Sequence, residues 1–264
     1  MTAFLPLQFL RLLAVVSLGL AASSALAQRG SFSSPDELGR WVTFYYLNPE
    51  PFRIPGAVVA ASRLGILKDV EAAPPFFGFL AGILHKEPSL AHFMSERLGE
   101  IAEADRPVII LGIWYSGHAD TAKLMQSIAQ RFPMHREMVV RLRSRGASIV
   151  QIPMDQGAWL VDALWGYFMA TGEDVPVIRI ISTLAWRGEK NSTPKITTAE
   201  SARWSLVANA VQHPRVMEIL KTQEKAHSGD VATALQEIIS KANGEIGKKR
   251  ESGPEALRTP HAKP

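Results

Sequence analysis

Apolar and polar positions alternate with a helical period along almost the whole chain. The clearest stretch is Gly157 to Arg187. Ala158 to Ala170 is apolar on every side, interrupted only by Asp162 and Gly166, the pattern of a helix buried all round. Thr171-Gly172-Glu173-Asp174 supplies a glycine stop and an acidic helix start. Pro176 opens a second helix, in which Arg179, Thr183 and Arg187 recur at i, i+4 and i+8 as a polar stripe. The pattern predicts a helical hairpin.

Looser copies of this plan occupy residues 36–67, 75–101, 107–132 and 199–225. In four of the five segments an aromatic precedes a turn proline by 10 or 11 residues: Trp41 and Pro51, Phe77 and Pro88, Trp165 and Pro176, Trp204 and Pro214. Such a unit cannot bury an apolar face alone, so neighbours must stack. The expected fold is all-α: an array of about five helical hairpins, either an irregular α-repeat or a multi-helix globule, with no sheet. The third segment lacks the proline, and no tetratricopeptide or ankyrin consensus is matched.

Local signals fix some boundaries. Ser34-Pro35-Asp36-Glu37 is a helix start with a capping serine, a first-turn proline and a glutamate three residues on. Thr197 and Glu200 have the same spacing and predict a second capping box. Ala72 to Leu84 is the most lipid-like stretch beyond the N-terminus, but at 13 residues it reads as a core helix. Ala147 to Asp155 is apolar without a helical period and is expected to lie as an extended loop on the helices.

The first residues carry an address. Met1 to Ala27 has a weakly basic start, an apolar run from Leu12 to Leu20, and small residues at Ala25 and Ala27, where a signal peptidase reads. Cleavage after Ala27 leaves Gln28 first and predicts a periplasmic or secreted protein, without an integral membrane span after cleavage. The alternative, an uncleaved anchor, is disfavoured by the short apolar run. Residues 28–243 then form the helical domain, and 244–264 are charged, poor in apolar residues and expected to be a disordered basic tail.

Composition changes the picture in two ways. There is no cysteine, which excludes disulfides, thiol nucleophiles and Cys-ligated zinc. The chain is basic, with a pI near 9.4, yet residues 28–240 carry 22 charges of each sign, so the excess belongs to the C-terminus. No nucleic-acid partner is expected from such a balance.

Candidate chemistry is sparse. No phosphate loop, zinc-protease motif or serine-hydrolase elbow is present, and no cofactor is implied. His85, His118 and His213 all fall in hairpin turns, and stacked units could align them along one edge. His118 with Asp120 is the best metal or acid–base candidate, because imidazole and carboxylate suit zinc; a histidine bonded to helix-end carbonyls explains each as well. Arg179, flanked by Ile178 and Ile180, could hold an anionic ligand or pair with Asp162, Glu173 or Asp174. The aromatic residues Trp41, Trp114, Trp165 and Trp204 read as core. The function this supports is a protein-interaction scaffold with its partner on the Arg179–Thr183 stripe. The alternatives are a metal-assisted hydrolase centred on His118 and Asp120, and peripheral membrane contact through residues 72–84 or the basic tail.

Overall fold

Two of the most apolar stretches of the sequence pack against each other. In the computed structural model, which describes residues 32–69, 72–144 and 146–251, the helix Ala73–Lys86 crosses the helix Trp159–Thr171, and the two form the centre of the molecule. Twelve α-helices are found among the described residues. In chain order they are α1 (Pro35–Thr43), α2 (Ile54–Arg63), α3 (Ala73–Lys86), α4 (Pro88–Glu96), α5 (Arg106–Tyr115), α6 (Thr121–Arg131), α7 (Arg136–Arg143), α8 (Trp159–Thr171), α9 (Asp174–Ser182), α10 (Thr193–Gln212), α11 (Pro214–Ala226) and α12 (Gly229–Glu251). Short 3₁₀ turns link many of them, and there is no sheet among the described residues beyond an isolated bridge between Ser116 and Ser148.

The all-α class is as expected. The packing, however, is not a file of stacked hairpins: α3 makes its largest contacts with α8 and α5, across the sequence. The reason lies in composition. Every residue of α3 from Phe76 to Leu84 is buried, and α8 is buried at all positions from Leu160 to Phe168 except Asp162. A helix apolar all round must be surrounded by other elements, and a sequential hairpin covers only one side. Residues 72–84 are therefore largely core and offer little to a membrane surface. No helix among the described residues is long and apolar enough to cross a membrane.

The hairpin from α8 to α9 forms as its residues require. Gly172 takes the left-handed conformation (φ 65°), and its N–H donates to the Phe168 carbonyl at 2.7 Å. The polar stripe does not face solvent along its length: Arg187 is exposed at one end, but the middle position is not. Thr183 is fully buried, with its hydroxyl donating to the Ile180 carbonyl at 2.7 Å.

The capping boxes divide. Ser34 Oγ accepts from the Glu37 N–H at 3.2 Å, and Glu37 reaches back to the N–H and hydroxyl of Ser33. Thr197 is not a cap. α10 has already begun at Thr193 with Pro194 in its first turn, and the Thr197 hydroxyl bonds back to the carbonyls of Thr193 (3.0 Å) and Pro194 (3.1 Å).

The C-terminal helices α10, α11 and α12 pack on one another as a group. α12 runs to Glu251, so residues 244–251, expected in a disordered tail, are helical. Ile238 and Ala242 are buried and Ile246 packs on the core, so the apolar stripe continues at intervals of four past Gly244. Residues 1–31 and 252–264 lie outside the described residues, and with them the signal segment, Ala25, Ala27 and the end of the tail. The described chain starts firmly: Phe32 is buried, its carbonyl accepts from Arg63 Nη2 at 2.6 Å, and the Arg53 guanidinium lies 4.4 Å from its ring centroid.

Candidate functional site

The turn between α5 and α6 is fixed from several sides. Gly117 adopts φ 66°, and a Cβ there would approach the Ser148 side chain at 3.2 Å. The Ser116 hydroxyl donates to the Ile113 carbonyl at 2.7 Å, and the Thr121 hydroxyl donates to the His118 carbonyl at 2.6 Å. His85, near the C-terminus of α3, uses an Nδ1–H to reach the Ser116 carbonyl at 3.0 Å, so its ring is a strut for this turn.

On this turn His118 and Asp120 meet a third side chain, His92 of α4, which packs against α6. One ligand atom from each of His92, His118 and Asp120 lies within 4.8 Å of the others. His92 Nε2 is 3.4 Å from Asp120 Oδ2, and Lys123 Nζ is 3.6 Å from the other oxygen. The His92 imidazole beside it, helped by Lys123, holds the Asp120 carboxyl below the usual carboxylate range. His118 Nδ1 accepts the Asp120 N–H at 3.2 Å. Sequence reasoning found two of these residues and missed His92. It is the fifth residue of a separate helix, and nothing in local spacing says that α4 will lie beside this turn.

The remaining candidates go elsewhere. His213, between α10 and α11, is fully buried at 3.2 Å from the Tyr46 hydroxyl and in ring contact with Phe44, Tyr46 and Phe168. Burial pushes its pKa down to about 4. His85, His118 and His213 thus do not form one edge: two meet at a turn and the third is core. Arg179 faces neither an acid nor an open surface. Its guanidinium donates to the carbonyls of Val150 and Ile152, clasping the 147–155 segment onto α9. That segment carries two 3₁₀ turns, with Ile149 and Met154 buried on the helices as a lid of loop.

A different feature stands open. Trp204, expected in the core, is 76% exposed, whereas its counterpart in the α8 segment, Trp165, is buried. Trp204 stands beside a groove of about 440 Å³ between α10 and α12. Glu200, Arg203, Val207 and Ala208 line one wall, and Glu237, Ile238, Lys241 and Glu245 the other. These spacings, of three, four and eight residues, are single helix faces about 12 Å long. Glu237 bridges Arg203 (3.3 Å) and Arg187 (3.1 Å), while Glu200, Lys241 and Glu245 join none of the described ion pairs. No family model matches this chain, and comparison with curated proteins and with solved structures gave no match.

Proposed function

We propose that the protein is an exported all-helical interaction scaffold and that its binding face is the groove between α10 and α12. The observation that carries this reading is the exposure of Trp204 at the groove mouth. Tryptophan is the residue type most enriched among energetic anchors of protein interfaces, and a solvated indole is otherwise a liability. The occupant that fits is a short amphipathic helix of a partner protein. Two helix faces side by side leave a trough for a third helix, read through anchors at i, i+3, i+4 and i+7. Basic residues on that helix would meet Glu200 and Glu245 at the groove rim. Export is inferred from the first 27 residues.

Retention of partner proteins from the exported fraction tests the reading. The wild type holds a polypeptide that Trp204→Ala and Val207→Asp variants release while remaining folded. Retention of the same polypeptides by both variants would place the binding face elsewhere.

A further inference from the structure

The cluster joining α4 to the α5–α6 turn has the donors and spacing of a metal site. We propose that His92, His118 and Asp120 bind a divalent transition metal ion of the zinc type, leaving the fourth position to water. Two imidazoles and a carboxylate are the borderline donors that select such an ion over calcium or magnesium. The separation of His92 Nε2 and Asp120 Oδ2, 3.4 Å, is long for a charged hydrogen bond. It matches the edge of a zinc tetrahedron, about 3.3 Å for bonds of about 2.05 Å.

Geometry and rigidity favour the same assignment. Lys123 stands on the Asp120 oxygen that faces away from His92, which leaves the second oxygen for an ion. The turn is fixed by Gly117, Ser116, Thr121 and the His85 strut, so two of three ligands are placed before the ion arrives. His118 needs one local exchange. An ion at Nδ1 replaces the Asp120 N–H hydrogen bond, and an ion at Nε2 shifts the ring proton to Nδ1, which gives up the same hydrogen bond. The side chains of His92 and Asp120 are about half exposed, so an ion enters directly from solvent. Bound, it ties α4 to the turn and adds stability by mass action.

The test uses the full chain, purified without a polyhistidine tag, stripped with chelator and titrated with zinc by calorimetry and with cobalt by visible absorption. The expected result is one ion per chain, a tetrahedral cobalt spectrum, and at least about tenfold weaker binding by His92→Gln and by Asp120→Asn. His227→Gln, at an exposed histidine far along the sequence, and Trp204→Ala bind zinc as the wild type does; the second keeps this test separate from the groove. Circular dichroism verifies that the variants fold. Absence of saturable binding at one ion per chain overturns the proposal, as does unchanged affinity in both ligand variants.

Discussion

Gly78 of α3 lies against the backbone of Ala163 in α8 so closely that a Cβ at Gly78 would stand 1.9 Å from the Ala163 carbonyl oxygen. The relation is reciprocal: a Cβ on Gly166 of α8 would stand 1.9 Å from the carbonyl oxygen of Pro75. The two helices touch backbone to backbone, and both obstacles are main-chain atoms that no rotamer change removes.

Gly78→Ala and Gly166→Ala should therefore each force α3 and α8 apart. The expected loss is about 3 kcal/mol or more, at or above the usual cost of overpacking. Urea denaturation followed by circular dichroism measures it. Gly39→Ala, at an exposed helical glycine with nothing within 4 Å, should be neutral or slightly stabilising. A loss below about 1 kcal/mol at both Gly78 and Gly166 contradicts the close crossing.

Much of this architecture was legible in the residues themselves. The burial of Leu160–Phe168 on all sides but Asp162, the stop at Gly172 and the Ser34 cap follow from local chemistry, because each is decided within one or two helical turns. Pairing was not legible. Which helix lies on which depends on contacts between distant segments, as between α3 and α8, and a period in the sequence does not specify them. The candidate site divides the same way: His118 and Asp120 share a turn and were found, while His92 needed the tertiary fold. Trp204 was misread because an aromatic at the repeat spacing normally points inward, and its exposure is decided by where α12 lies.

Arg179 should act as a clasp. Its two carbonyl acceptors lose their donors in Arg179→Leu, at a cost of about 1–3 kcal/mol. Amide exchange and proteolysis within 147–155 should then rise before the rest of the fold is affected. Arg179→Lys should recover little, since an ammonium lacks the planar fork that spans Val150 and Ile152. Unaltered exchange in that segment would refute the clasp.

His213 should make stability fall in mild acid. It stays neutral in the folded protein down to about pH 4, while in the unfolded chain it takes a proton near its ordinary pKa of about 6.5. Between these values the unfolded state holds more protons, so stability declines as pH falls from about 6.5 to about 4, by at most about 3 kcal/mol. The Tyr46 hydroxyl, the polar partner of the ring, stays protonated throughout, since a phenol ionises only near pH 10 and burial moves it further up. Urea titrations at several pH values should show this slope in the wild type and its reduction in His213→Gln. Parallel curves would contradict it.

Two tryptophans at equivalent places in the repeat pattern should respond oppositely to removal. Trp165→Ala opens the core and should cost about 3–5 kcal/mol. Trp204→Ala removes a solvated ring and should change stability by less than about 0.5 kcal/mol. Equal losses would mean that Trp204 is packed and not presented.

The central claim, a partner helix in the α10–α12 groove, is tested most directly by a photo-crosslinking amino acid at position 204, irradiated in cells that produce the protein. The account predicts one dominant adduct with another protein, mapped by mass spectrometry to an amphipathic helical segment and absent when Val207→Asp is added. No adduct at position 204, or an adduct with a second copy of this chain alone, would contradict it.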